Sequence, residues 1–185
     1  MANEVRFSGA VLEQHRQLLR ERLGDRFDAV VEGLPDAERT VIEETLAMGW
    51  VDYRSLRALY EAAGDALGVD PHRLHEEVVT IAVRRTFNSV WRILLRVVSE
   101  GTILKRVPRM FKRGYDGGRI ETEYNKAGAA LVRVTEFPDA GSHPYARRGL
   151  TIAVREILTI AGRKGVRVES KPTSDGVVLH VRWKA

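Results

Sequence analysis

The sequence predicts an α+β fold, in which a helical amino-terminal part precedes a four-stranded antiparallel sheet covered by helices. Apolar residues recur at helical spacing from residue 10 to about residue 113. Two later stretches alternate as hairpins do, and a helical pattern separates them. A chain of 185 residues has the usual length of one domain. We therefore expect a single domain over 1–185, with a helical extension (1–49), a helical layer (50–118) and a hairpin–helix–hairpin unit (119–185).

The amino-terminal part is predicted to form a series of helices separated by turn residues. These helices cover Ala10–Leu23, Arg26–Glu32, Pro35 to about Gly49, Asp52–Gly68, and a long segment from Asp70 and Pro71 to about Ser99. Asp52 and Asp70 are natural N-caps, and Gly68 is a natural stop. The third helix is expected to carry Leu46 and Met48 on its apolar face.

The carboxyl-terminal part is predicted to form two hairpins around one helix. The strands cover Arg119–Tyr124, Ala129–Glu136, Val166–Lys171 and Val177–Trp183, and the helix covers Tyr145–Ala161. The turn residues Asn125–Gly128 and Pro172–Gly176 join the strands of each pair. This order predicts a small antiparallel sheet with helices on one face.

Composition excludes several classes of chemistry. The chain has no cysteine, so it has no disulfide, thiolate zinc site, iron–sulfur cluster or cysteine nucleophile. No apolar run reaches the roughly 18 residues that a membrane span needs, and the first residues lack a signal-peptide pattern. We expect a soluble, cytoplasmic protein.

The net charge of +5 is the sum of opposing blocks. Residues 1–83 carry −7, residues 84–119 carry +8 and residues 120–185 carry +4. A concentrated basic stretch favours anionic partners. The alternative is that the acidic first block packs beside it and neutralises it.

The most apolar helical stretch is VWRILLRVV at residues 90–98, and the helical pattern that extends through it carries a narrow polar stripe of Arg85, Ser89, Arg92 and Arg96. One interpretation is that the stripe faces a groove, where its guanidinium groups hold an anionic ligand or a partner carboxylate. The other is that the stripe is the solvent-exposed side of the helix, paired with Glu100 or with the acidic first block.

The segment Thr102–Arg113 is predicted to be a basic amphipathic helix, kinked or restarted at Pro108. One side carries apolar residues, and the other carries the candidate anion or partner contacts Lys105, Arg106, Arg109, Lys112 and Arg113. The functional interpretation is contact with phosphate, an anionic membrane or a partner groove. The alternative is a core-facing helix whose basic side is merely solvated.

Catalytic and metal motifs are absent. His72 and His75 share one helical face, but they lack a third ligand, and the start of an exposed helix explains them better. His143 lies in a loop without a nucleophile elbow, and the glycines form no phosphate-binding motif. We predict no metal site, no cofactor, no catalytic residues and no enzyme, and sequence-specific nucleic-acid binding is not expected.

The stretch from Trp50 to Trp183 resembles a myxobacterial paralogous family of unknown function. The likeness lies in RRTFNSVWRILLRVV, GTILKRVPRMFKRGYDGG, YARRGLTIAVREILTIAG and VVLHVRW. The order of helices, hairpin, helix and hairpin is also distantly similar to the ligand-binding fold of haem-based nitric-oxide sensors, vinyl-reductase-type sensory domains and TRAPP subunits.

Two departures limit what this distant resemblance implies. The haem sensors' Y-x-S-x-R motif is replaced by EYNKAGAALVR, and the metal-binding cysteines of the vinyl-reductase-type domains are missing. The resemblance therefore implies a non-enzymatic sensing or interaction module without haem or zinc.

The leading hypothesis is a regulatory or sensory module for signalling, which binds a small apolar or lipid-like ligand between helices and sheet. Its predicted lining is Phe87, Trp91, Leu95, Met110 and Phe111, with Arg92 or Arg96 at the mouth. The alternative is a protein-interaction or scaffold module, able to form a homodimer, whose residues 102–113 bind an acidic partner, nucleic acid or an anionic membrane.

Overall fold

The computed structural model describes residues 5–87, 100–125, 128–138 and 143–184. The helices in these ranges are α1 (Gly9–Leu23), α2 (Arg26–Glu32), α3 (Asp36–Glu44), α4 (Tyr53–Leu67), α5 (Pro71–Thr86), α6 (Glu100–Gly114) and α7 (Pro144–Ile160). The strands are β1 (Arg6–Ser8), β2 (Trp50–Val51), β3 (Tyr115–Asp116), β4 (Arg119–Asn125), β5 (Ala129–Thr135), β6 (Lys164–Pro172) and β7 (Val177–Lys184). The α+β class is confirmed.

Side-chain caps set the beginnings of α4 and α5. The Asp52 carboxylate accepts a hydrogen bond from the Ser55 amide at 2.8 Å, and Asp70 accepts one from the Arg73 amide at 2.7 Å. Such caps satisfy amides that have no partner within the helix. Gly68 ends α4 in the left-handed conformation, as the sequence predicts.

The predicted apolar face of the third helix is wrong at its carboxyl end. α3 ends at Glu44, and Leu46 and Met48 lie in the following turn with 77% and 94% of their surface exposed. The backbone at Leu46 and the side chain of Thr45 pack against the start of α1. A Cβ on Gly9 would lie 1.9 Å from the Leu46 carbonyl oxygen, and the Gly9 amide donates to the Gly49 carbonyl at 2.7 Å.

One helix boundary near the basic stretch differs from the prediction, and one of the two predicted alternatives at Pro108 is excluded. α5 ends at Thr86 rather than continuing to Ser99, because Phe87 has a non-helical backbone (φ −94°, ψ 65°). Residues 88–99 lie outside the described ranges. α6 continues through Pro108, so the proline does not begin a new helix. Its missing N–H leaves the Leu104 carbonyl without its helical donor.

The four-stranded sheet has the order β4-β5-β7-β6, and every neighbouring pair is antiparallel. It consists of the two predicted hairpins, joined through β5 and β7 at its centre. Alternate residues of these central strands are buried, including Val132, Val134, Leu179 and Val181. The predicted sheet of hairpin, helix and hairpin is confirmed.

A second sheet, with the order β2-β1-β3, was not predicted. Its strands are two or three residues long, which is too short for an alternating pattern to show. β1 pairs with both neighbours and brings the amino-terminal end of the described chain beside the end of α6.

The layers are arranged so that α7 lies in the middle. It packs against α5 on one side and against β6 and β7 on the other, while α6 packs against β4. Apolar residues of α1, α4, α5, α7 and the sheet form one continuous core. No helix in the described ranges is long and apolar enough to cross a membrane.

One buried carboxylate joins α5 to α7. Glu156 is the only buried acidic residue in the described chain, with 4% of its surface exposed. Arg84 of α5 donates to it at 2.8 Å, and Arg155 donates to its other oxygen at 3.2 Å. Arg155 also reaches Glu76 of α5 at 3.2 Å, so the ion pairs cross the helix contact twice.

Removing the arginines should cost more stability than removing the carboxylate. The double variant Arg84→Ala/Arg155→Ala leaves Glu156 buried and unpaired, which typically costs about 3–5 kcal/mol. Glu156→Leu removes the buried charge itself, so we expect a loss below about 1 kcal/mol. Urea unfolding of the three proteins measures both values. A Glu156→Leu protein less stable than the double variant would contradict this account.

Candidate functional site

A cavity of about 280 Å³ lies between the helices and the sheet. Residues of α1, α4, α5, α6 and α7 line it, together with Ile120 of β4 and Val132 of β5. Aliphatic and aromatic side chains form most of its wall. None of the described lining residues is Asp, Glu, Lys or Arg, so this part of the wall is uncharged.

The structure brings three of the predicted ligand contacts to this cavity. Phe87, Met110 and Phe111 line it. The other four predicted contacts, Trp91, Leu95, Arg92 and Arg96, lie outside the described residues. The sequence pattern did not reveal that α7 supplies a whole wall through Gly149, Leu150, Ala153, Val154, Ile157 and Leu158.

Exposed polar side chains of α1 and α5 meet beside the cavity. Gln14 donates to the Thr86 hydroxyl at 3.2 Å, and both residues belong to the lining. Arg85 forms a bidentate ion pair with Glu21, with nitrogen–oxygen distances of 2.9 and 2.8 Å. This arginine of the predicted stripe therefore pairs with the acidic first block, as the second interpretation of the stripe expects.

Two histidines and two tyrosines form a buried cluster at one wall of the cavity, which we call the histidine–tyrosine cluster: His15, Tyr60, His75 and Tyr145. The Tyr60 hydroxyl and His15 Nδ1 are hydrogen-bonded at 2.9 Å. The His75 ring lies edge-on to the Tyr60 and Tyr145 rings, with centroids 4.9 and 5.0 Å away. His15, His75 and Tyr145 line the cavity itself.

His75 is one of two residues in this cluster whose hydrogen bonding is incomplete, since the Tyr145 hydroxyl also has no hydrogen-bond partner among the described residues. His75 is 2% exposed, and its Nδ1 atom has no hydrogen-bond partner in the described part of the chain. Gly149 leaves a space beside the Cε1–Nε2 edge of the same ring. A Cβ on Gly149 would lie 3.6 Å from His75 Cε1 and 4.0 Å from Nε2. We call this space the Gly149 notch.

Burial keeps the cluster uncharged near neutral pH. It lowers the pKa of His15 to about 4, and it lowers the pKa of His75 well below the ordinary value, with the neighbouring His15 adding to the effect. Burial raises the pKa of Tyr60 well above its ordinary value and that of Tyr145 to about 12. The cavity wall therefore presents neutral imidazole and phenol groups.

The interpretation of His72 and His75 as an exposed helix start is wrong for His75. His75 shares one helical stripe with Val78, Val79 and Ala82, at i+3, i+4 and i+7, and all four are buried. That spacing was the available signal. His72 is half-buried, with its ring centroid 4.6 Å from that of Tyr145. Within the described ranges no group of three or more His, Cys, Asp or Glu residues could hold a metal ion.

The predicted anion contacts lie on the outer side of α6. Arg106, Arg109, Lys112 and Arg113 are exposed. Among the described residues no acidic side chain pairs with any of them. The side chain of Lys105 lies outside what the structure describes. The inner side of the same helix lines the cavity through Ile103, Val107, Met110 and Phe111.

The architecture is that of H-NOX domains. The H-NOX protein from K. algicida, in its Fe(II) unliganded form, superposes with a TM-score of 0.66 at 10% identity, over 96% of this chain and 97% of that one. An oxygen-binding H-NOX domain related to soluble guanylate cyclases, in its oxygen complex, gives 0.66 at 11% identity, over 96% and 95%. A structure concerned with heme distortion in the H-NOX family gives 0.65 at 12%, over the same shares.

No family model and no curated protein matches the sequence. The distant resemblance to the haem-sensor fold is therefore confirmed by structure alone. At these identities the likeness establishes the fold and leaves the site to be judged on its own residues.

The described residues do not fit haem. Its two carboxylates would need cationic or other strong donors, and no Arg or Lys belongs to the described lining. A volume of about 280 Å³ lies below the usual 300–1,000 Å³ of pockets for drug-sized ligands. An iron macrocycle is larger than such ligands. The described lining suits a smaller, uncharged molecule.

Stability should fall as the pH falls from about 6.5 to about 4. In this window the unfolded chain binds a proton at His15 and the folded chain does not, so acid favours unfolding. A shift of this size is worth on the order of 3 kcal/mol, and His75 acts in the same direction. Urea unfolding across this range measures the loss.

The double variant His15→Gln/His75→Gln is the control for that measurement, since it removes both imidazoles whose protonation favours unfolding. Its free energy of unfolding should change much less over the same window. An equally steep profile in this variant would assign the acid sensitivity to other groups.

Proposed function

We propose that the protein is a non-enzymatic sensory module that binds a small apolar ligand in the cavity between its helices and its sheet. The observation that carries the proposal is the cavity itself, a space of about 280 Å³ whose described lining is uncharged and mostly apolar. Protein interiors are normally packed as densely as organic crystals, and voids larger than a water molecule are few.

An empty apolar cavity lowers stability, because the surrounding side chains lose dispersion contacts. A ligand that fills the space restores those contacts and stabilises the folded state in proportion to its occupancy. The similarity of this fold to H-NOX domains supports the proposed function, since the similar structures include an oxygen-binding domain.

α6 connects the cavity to the protein surface, so it can transmit ligand binding to its outer face. Its inner face lines the cavity through Val107 and Met110, and its outer face carries exposed Arg106 and Arg109. A ligand that displaces the inner side chains would move the outer cations with them, because both belong to one helix. Pro108 lies between the two sets and lacks the amide that would complete the helical hydrogen bonding.

Propylbenzene should bind to the wild-type protein and raise its midpoint of thermal unfolding. Ala153 lines the cavity, so Ala153→Leu should fill part of it and weaken propylbenzene binding at least about tenfold, the equivalent of about 1.4 kcal/mol. Isothermal titration calorimetry measures the affinity.

Ala37→Leu provides the matched control, because Ala37 is exposed on α3 and lies outside the cavity lining. This variant should bind propylbenzene as the wild type does. A wild-type protein that binds no apolar probe, or an Ala153→Leu protein that binds as well as the wild type, would contradict the proposal.

A second candidate function is docking of an acidic protein surface on the outer face of α6. It rests on the four exposed cations Arg106, Arg109, Lys112 and Arg113, which no described acid neutralises. Elsewhere in the described chain many arginines are paired, such as Arg85 with Glu21 and Arg57 with Glu61. A cluster of unpaired cations favours anionic partners.

Charge reversal on α6 should weaken binding of labelled poly-L-glutamate at low salt. For Arg106→Glu/Arg109→Glu/Lys112→Glu we expect a loss of about tenfold or more, since each exposed charge contributes a few tenths of a kcal/mol or more. Fluorescence anisotropy measures the affinity. The matched control Arg167→Glu/Lys171→Glu/Arg182→Glu reverses three exposed cations on the sheet. An equal loss in both triple variants would show that net charge alone is responsible.

A further inference from the structure

The histidine–tyrosine cluster gives the cavity one polar wall, and this asymmetry restricts the chemistry of the ligand. Ile103, Val107 and Met110 of α6 offer only carbon and thioether groups to the cavity. His15 and His75 offer imidazoles, and Tyr145 offers its ring. A molecule that fills such a space should be apolar along most of its length and polar at one end.

The Gly149 notch is the place where a polar atom can reach an imidazole nitrogen. A Cβ on Gly149 would be 4.0 Å from His75 Nε2, and both residues line the cavity. A ligand oxygen in the part of the cavity beside them can approach that nitrogen to the ordinary length of a hydrogen bond.

The surroundings favour an uncharged polar group over a carboxylate or an amine. No Asp, Glu, Lys or Arg belongs to the described lining, so the described residues offer an ionised ligand no counter-ion. A neutral imidazole has one N–H donor and one acceptor nitrogen. It therefore matches a hydroxyl or a carbonyl group.

The volume sets the size of the ligand. A small group takes up roughly 30 Å³ in a liquid, so 280 Å³ holds about nine non-hydrogen atoms. We propose, on the basis of the proposed function, that the ligand is a neutral amphiphile of this size. Its hydroxyl or carbonyl group enters the Gly149 notch and forms a hydrogen bond with His75, while its apolar chain extends toward α6.

Three probes with the same skeleton test this inference: propylbenzene, 3-phenylpropan-1-ol and 3-phenylpropanoate. In the wild-type protein, titration calorimetry should show the alcohol binding about 3- to 10-fold more tightly than the hydrocarbon, which is the usual net value of one hydrogen bond. The carboxylate should bind more weakly than either.

Two variants locate the hydrogen bond. Gly149→Ala fills the notch at ordinary contact distances, and alanine favours a helix, so the protein should fold and melt at a higher temperature than the wild type. The alcohol should then bind no better than the hydrocarbon. His75→Phe keeps a ring of similar shape without nitrogen atoms and should abolish the same preference.

Gly114→Ala is the control for the backbone effect, because a Cβ at Gly114 meets no atom within 4 Å and the residue is outside the lining. It should keep the preference for the alcohol. If propylbenzene binds but the alcohol has no advantage, or if the advantage survives in Gly149→Ala, the inference is overturned while the proposed function stands. If the carboxylate binds more tightly than the alcohol, the inference that the ligand is uncharged is overturned. If no probe binds, the proposed function itself fails.

Discussion

The contact between α5 and α7 is the constraint on which the rest of the structure depends. α7 also packs on the four-stranded sheet, so this one contact fixes the helical layer relative to the strands. The buried carboxylate of Glu156 on α7 sets the geometry of this contact, because Arg84, which donates a hydrogen bond to it, belongs to α5. Buried ion pairs of this kind add specificity more reliably than they add stability.

The same contact holds the cavity open. Ala82 of α5 and Ala153 of α7 both line the cavity, and small residues at these positions leave space that larger ones would fill. Gly149 continues this series beside His75. The space in the core therefore follows from the choice of small side chains on two helices whose separation is fixed elsewhere.

The histidines in the described lining of the cavity are neutral. His15 and His75 lie in a desolvated wall beside Tyr60, where burial opposes protonation. The lining described here favours ligands without charge, whereas the outer face of α6 is strongly basic. The two surfaces differ in chemistry and share one helix, which is an arrangement suited to passing a signal from a ligand to a partner.

Local signals in the sequence determined most of the secondary structure. Caps such as Asp52 and Asp70, stops such as Gly68, and the alternation of β5 and β7 act over a few residues, so they can be recognised without knowledge of distant contacts. The tertiary structure alone decided the three short strands, the exposure of Met48 and the ring contact between His75 and Tyr145. These features depend on which residues, far apart in the chain, meet in space. Phe87 and Met110 were predictable as apolar lining, but the notch at Gly149 exists only because α5 and α7 meet there.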